Sequence, residues 1–534
     1  MSTGEWDGIV LGAGHNGLVL QAYLCRAGLR VLAIERLERA GGPLVCDPDP
    51  ELPGVRHNTH AVFLRGVSAM PWFRDLELAR QGVELIHPEL NLAQVLTDGR
   101  VLAIHLDIEM TCASIAELSR RDATTYRRLH AEFGDVLRDV VAPENAAPPL
   151  PPAERRALLA RSRVGRRALE TEPLSPREFV ERHFEHPALR AGLLYVCIIR
   201  EYDILAPGNG LLVPSIIASD QKAQLCRGGS ARLADALVAD VEAHGGAILA
   251  GAVARRIVVE GGRAAGVELA GGERIAARHF VAAALNPHQV LELLGAEQLP
   301  EALVRAAAAY RYNLVGPLFG VNVALREPPR YRAAERHPGL ARAGLTILGL
   351  EAPDEIYELY AGRLPMLASI WGTTPTAHDP SQAVDGVATA FMWQKVPYAL
   401  DGDPRSWDRR KAAHAERVLA RWREFAPNLT PDNVLTLTAL SPLDTERRFP
   451  NLRGGDLGVG WAGPGQLRDE RPVPGAGRYA LPVRGLYLCG GATHPGGNIT
   501  GLPGYNAARV IAEDLGAPIW WDPPDVGRLW TALD

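Results

Sequence analysis

Lysine is nearly missing from this 534-residue chain: Lys222, Lys395 and Lys411 are its only three, and arginine supplies the remaining cations. That skew reads as base composition rather than chemistry. Basic residues number 57 against 62 acidic ones, a formal charge of −5, which excludes the broad basic surface that nucleic-acid binding requires. No uncharged apolar run reaches the ~18 residues of a membrane span. The six cysteines (Cys25, Cys46, Cys112, Cys197, Cys226, Cys489) form no CxxC or CxxxxC pair, so dithiol redox chemistry is excluded. Their scatter predicts reduced thiols packed as small apolar residues. No charged-then-apolar leader precedes the first hydrophobic run, and a cytoplasmic location is expected. A Gly-x-Ser-x-Gly nucleophile elbow is missing as well, and no residue pattern asks for a metal. Length and a 47% hydrophobic content leave room for two domains with ample cores.

What is present begins almost at once. The apolar run Gly8-Ile9-Val10-Leu11 enters Gly12-Ala13-Gly14-His15-Asn16-Gly17, a GxGxxG turn, followed by helical spacing from Leu18 to Ala27. A second apolar strand, Arg30 to Ile34, ends in Glu35, eighteen residues past Gly17. In a chain with 54 glycines a lone GxGxxG says little; strand, helix, strand and acid in register say much more. Gly12 allows the tight turn, Gly14 lets backbone approach a pyrophosphate, and Gly17 lets helix lie on strand. The helix N-terminus, with Asn16 in its first turn, offers N–H groups to phosphate. Glu35 can accept hydrogen bonds from a ribose hydroxyl, with Arg36 beside it.

Both NAD and FAD carry an adenosine diphosphate, so the turn alone does not separate them. A second glycine-rich turn at the other end favours FAD. Gly485-Leu486-Tyr487-Leu488-Cys489-Gly490-Gly491 reads as a buried strand entering a turn. A loop of small residues, Thr493 to Gly501 with Asn498 and Ile499, precedes helical spacing from Gly504 to Leu515. A second helix N-terminus suits a flavin, whose ring gains negative charge on reduction.

The opening segment, the Gly41-Gly42 pair, and the closing Leu486 to Gly490, His494-Pro495-Gly496-Gly497 and Asn506-Ala507-Ala508-Arg509 together carry a resemblance. So do Gly228-Gly229-Ser230, Trp393-Gln394, Ser441 to Arg447 and Arg471 to Pro474. The chain resembles the phytoene desaturase and carotenoid isomerase-like FAD-dependent oxidoreductases. Within them it is most similar to the pyridine nucleotide-disulfide oxidoreductase domain-containing proteins. The resemblance implies an α/β Rossmann-like FAD-binding domain of the glutathione-reductase and amine-oxidase kind, assembled from three segments, with an inserted α+β substrate domain. It implies that Gly41, Gly42, Gly490 and Gly491 face the cofactor and that Val253 clasps the adenine. Two departures stand out. Pro43 removes a backbone N–H beside the pyrophosphate. Arg468 and Asp469 stand where relatives tend to be apolar, which would penalise a long hydrocarbon if that stretch borders the substrate.

The expected cofactor segments are 1–90, 223–299 and 436–534; the expected substrate segments are 91–222 and 300–435. Ser230 looks like a cap for a helix from Ala231 to His244, and Val253–Glu260 with Ala264–Leu269 reads as a hairpin. The Arg-rich stretch Ala153 to Glu170 reads as one helix, either solvated or lying on an anionic membrane surface.

Chemistry of this kind asks the protein chiefly to fix a substrate carbon over the flavin, so that a hydride passes to its N5. The candidate acid–base residue is His60; a spacing of three prevents His57 and His60 from sharing a strand face. His57, Trp371, Trp393, Gln394 and Tyr398 are the other pocket candidates. Lys222 or Lys395 could stand near N5. The reading that results is an FAD-dependent dehydrogenase or oxidase that desaturates a C–C or C–N bond of a small-molecule metabolite, with O2 or another acceptor. The rival readings are a carotenoid or isoprenoid desaturase, a flavin-dependent isomerase without net redox, and a non-catalytic flavin-binding interaction protein.

Overall fold

A computed structural model describes residues 6–220, 222–365 and 369–533. Its first sheet is built from short apolar runs that are buried on both faces, the pattern of a parallel sheet covered on either side. Five strands run parallel in the order Ala247–Leu249, Val31–Ile34, Trp6–Leu11, Arg274–Ala283 and Leu486–Leu488. Alternation sorts their side chains. Val10, Ala33 and Ala282 face a helical layer, while Ile9, Leu11, Leu32 and Val281 face an antiparallel ribbon. That ribbon is the expected hairpin, Ala254–Glu260 paired with Arg263–Leu269, continued by the first half of Arg274–Ala283.

The helical layer holds His15–Arg26, Ala231–Ala243 and Leu502–Leu515. The last of these comes from the far end of the chain and lies hard against the first. A Cβ on Gly504 would sit 2.0 Å from the Asn16 carbonyl oxygen. Gly17 likewise lets its helix onto the sheet, since a Cβ there would meet the Gly12 carbonyl at 2.2 Å. Ser230 does not cap its helix. Its hydroxyl donates instead to the Val45 carbonyl at 3.2 Å, while its N–H donates to Asn58 at 2.9 Å.

The second sheet has seven strands in the order Val434–Leu440, Leu318–Leu325, Ala388–Lys395, Ile370–Thr373, Leu345–Leu348, Leu90–Val95 and Val101–His105. All its pairings are antiparallel except that of Leu345–Leu348 with Leu90–Val95. One face packs on the helix Ser406–Phe425 through Val418, Trp407 and Trp422; the other carries Trp371, Phe391 and Trp393 toward a bundle of helices. The edge strand Val434–Leu440 runs through the boundary expected at 436.

The Arg-rich stretch is two helices, Pro152–Leu159 and Arg163–Thr171, not one. The break lets Gly165 approach the Leu159 carbonyl, where a Cβ would come within 2.1 Å. Arg155 is buried rather than solvated. It forms ion pairs with Glu144 and, at 2.8 Å, with Glu172, and Arg468 reaches Glu172 at 2.9 Å. Burial alone would raise the Glu144 carboxyl; Arg468 and Arg155 overcome it and hold the group at about 2. The Glu144 carbonyl also contacts His494 Nε2 at 3.0 Å, so this cluster ties the helical bundle to the C-terminal glycine loop. Arg155→Met leaves the buried Glu144 and the half-buried Glu172 poorly compensated and is expected to cost ~3 kcal/mol, read from the midpoint and slope of urea unfolding. Among the described residues no helix is long and apolar enough to cross a membrane.

Candidate active site

The ends of the parallel strands open onto one continuous cavity of about 1920 Å³, counting the part open to solvent. Gly12, Gly14, Asn16, Gly17, Glu35, Arg36, Gly42, Val253, Gly490, Gly491, Asn498 and Ile499 all line it. The two terminal motifs, more than 470 positions apart in sequence, therefore meet around a single space. Gly14 precedes the helix His15–Arg26 in extended conformation and gives it no side-chain cap. The first N–H groups of that helix are thus left for a ligand. A Cβ built on Gly14 finds no atom within 4 Å, so the backbone there fronts open space. Gly12 holds φ at +93°, a conformation that favours glycine. Glu35 is buried, and its carboxylate accepts from the N–H groups of Ala13 and Leu37, both at 2.9 Å. Its position is fixed while each oxygen keeps a lone pair for a hydroxyl.

Gly41 does not reach the cavity. Its N–H donates to the Ala13 carbonyl at 2.8 Å, and its missing Cβ makes room for Ala234. Of the glycine pair, Gly42 faces the ligand space and Gly41 packs beneath it. Pro43 lines the wall, as do Asn16 and Thr500. Asn16 Oδ1 and Thr500 Oγ1 are buried without a partner among the described residues. Such orphans are costly in a finished interior, and the hydroxyls and phosphate oxygens of a bound nucleotide would give them partners. The residues present fit FAD.

Beyond the glycine loop the cavity continues between Val62, Phe63, Ile199, Trp371, Trp393 and Val459. Trp371 and Trp393 meet edge to face, with ring centroids 5.0 Å apart. Gln394, the next residue on its strand, points to the opposite face and contacts His414 Nε2 at 2.9 Å; strand alternation forbids both from lining one wall. Tyr398 also lies off the cavity, bonded to Glu446. His57 turns to Asp49 at 2.9 Å, whereas His60 lines the cavity. The His60 ring nitrogens contact the hydroxyls of Thr59 at 2.9 Å and Thr445 at 3.3 Å. Burial, reinforced by Arg448, lowers His60 to about 4, so the ring is neutral near pH 7. Arg468 and Asp469 do not border the cavity, and their charge sets no penalty on an apolar substrate.

Two charged residues at this end, Arg65 and Glu201, belong to no motif in the sequence, and Lys395 joins them in a way its position there does not announce. Arg65 and Glu201 line the cavity, and Lys395 forms a buried ion pair with Glu201. Glu201 has φ of +64°, which is uncommon for a residue other than glycine. Its carbonyl accepts from Asn313 Nδ2 at 2.7 Å. Nearby Asp456 is held at about 6 by burial and then by repulsion from Glu201. Arg65 lies five positions beyond His60, in a stretch of which all but Leu64 line the cavity, and that nearness was the one available signal. Lys395 is partnered rather than free, and Lys222 Nζ donates to the Ile216 carbonyl at 3.1 Å. Neither lines the cavity.

The fold and this site define an FAD-dependent oxidoreductase. Residues 10–76 match the family of NAD(P)-binding Rossmann-like domains. A limonene dehydrogenase subunit from Castellaniella defragrans is 31% identical over 98% of this chain and 97% of its own. Pyridine nucleotide-disulfide oxidoreductase domain-containing protein 2 of Rattus norvegicus is 31% identical over 96% and 94%. A lycopene-forming phytoene desaturase of Paracoccus sp. is 25% identical over 95% and 97%. Among solved structures, putrescine oxidase bound to putrescine superposes with a TM-score of 0.60 at 16% identity, covering 96% of this chain and 99% of the other. The chain belongs to the phytoene desaturase and carotenoid isomerase-like oxidoreductases, alongside the pyridine nucleotide-disulfide oxidoreductase domain-containing proteins.

Proposed function

We propose that this enzyme desaturates a C–C or C–N bond of a small or mid-sized metabolite held in the aromatic chamber. The observation that carries the reading is the continuity of that chamber with the nucleotide cleft: one space runs from Glu35 and Val253 past Gly490 to Trp371 and Trp393. When bound, FAD supplies a hydride acceptor, and O2 or another external acceptor takes the electrons onward. The protein's share is placement. Asn16, Gly42, Gly490, Gly491, Asn498 and Ile499 hold the cofactor, with Val253 at the adenine. Phe63, Trp371 and Trp393 exclude water and fix the donor carbon. His60 takes up a proton only weakly, and its two hydroxyl partners make it a fixed wall group. Segments 1–90 and 223–299 together with the chain beyond residue 440 form the cofactor unit, and the intervening segments roof the chamber.

Anaerobic incubation with pooled and then single metabolites, followed at the flavin absorption band, tests this. One donor should bleach the oxidised band, and readmitted air should restore it if O2 is the acceptor. A flavin inert to every pool while readily reduced by dithionite would sink the reading.

A further inference from the structure

The chamber has more positive charge than its own carboxylates balance. Arg65, on the cavity wall, and Arg200 are both half-buried, and among the described residues neither has a carboxylate oxygen within 4 Å. Arg65 donates to Asn498 Oδ1 at 3.0 Å and to the Ile199 carbonyl at 2.8 Å. A guanidinium carries five N–H donors, so three of those on Arg65 have no acceptor among the described residues. Arg200 sits beside it, its Nε buried and likewise without a partner. Glu201 is the acid that faces Arg65, and its carboxylate is already paired with Lys395. Lys222, half-buried, is a further cation near Arg200, with Asp220 as its acidic neighbour. Burial and then Arg200 lower Arg65 to about 9, against the pull of Glu201. An uncompensated buried charge is costly unless a ligand of opposite sign completes it.

We propose that the chamber takes a substrate with an apolar body and a carboxylate, and that Arg65 is the partner of that carboxylate. The inference rests on the chamber being the substrate site. The aromatic wall receives the body and Arg65, on the same cavity surface, receives the charge by a forked, charge-assisted hydrogen bond. Asn498 and the Ile199 carbonyl hold the guanidinium in place. Asn498 is itself fixed by donating to the Arg200 carbonyl at 3.0 Å.

Holoenzyme titrated with benzoate and with benzamide, read by the visible difference spectrum of the bound flavin, tests this without any redox turnover. Benzoate should bind saturably and more tightly than benzamide. Arg65→Met should weaken benzoate about 10- to 100-fold and leave benzamide unchanged, with Arg65→Lys falling between. Equal binding of the two probes, no benzoate binding, or undiminished affinity in Arg65→Met would each overturn the proposal. So would Arg65→Met and Arg65→Lys purified without FAD, which would place Arg65 on the cofactor. Because no donor is oxidised, failure of the bleaching experiment would leave this result standing.

Discussion

Gly14→Val should purify as a folded, colourless protein. Gly14 has φ −70° and ψ 170°, extended backbone that valine adopts without strain. A Cβ there meets no protein atom within 4 Å, so nothing in the apoprotein resists the change. Its unfolding free energy should stay within about 0.5 kcal/mol of the wild-type apoprotein. The same isopropyl group would occupy the space where backbone must approach the pyrophosphate. The protein-to-flavin absorbance ratio reports the outcome, and one FAD per chain in the variant would refute the placement of this turn. Gly17 gives the contrast: a Cβ there meets the Gly12 carbonyl at 2.2 Å, so Gly17→Val should lose fold and cofactor together.

The second large effect is expected in acid. His15, His60, His414 and His494 are each buried and lowered by that burial from 6.5 to about 4. The native ring stays neutral while the unfolded chain takes up a proton below pH 6.5. Stability is therefore full above that value and falls as pH drops from 6.5 through 4. Each histidine contributes ~1.4 kcal/mol per pH unit, and the set gives ~5 kcal/mol per unit. Asp456, held at about 6, works the other way and offsets less than one histidine. Guanidinium unfolding of the FAD-free protein at pH 7 and pH 5.5 should therefore differ by roughly 4 kcal/mol. A flat profile across that window would show that these rings are not neutral in the native chain.

The parts of this molecule legible in the sequence are those whose logic is local. Gly12, Gly14, Gly17 and Glu35 announce themselves because turn, helix and acid must follow in a fixed order along the chain. The glycine loop before Leu502–Leu515 does the same. The substrate end has no such grammar. Trp393 faces the cavity and Gln394 faces away because of a sheet whose seven strands come from four separate stretches of chain, and no window of sequence contains that choice. Ser230 had the residue type and position of a helix cap, yet Asn58, 172 positions earlier, claims its N–H. Arg155 read as one solvated arginine among six until Glu144 and Glu172 closed over it. Arg65, Glu201 and Lys395 become a group only in three dimensions, which is why the chamber's charge went unread.

The contact of Gly504 with Asn16 bears on biosynthesis. A ribosome that has delivered the first thirty-five residues has made the phosphate turn but not its lid, because Gly490, Asn498 and the closing helix are still untranslated. The nascent polypeptide must keep the N-terminal strands in waiting until residues 486–515 have been made. Capture of FAD is thus expected only once both glycine-rich turns have been made, and a polypeptide cut short before residue 490 is expected not to retain it.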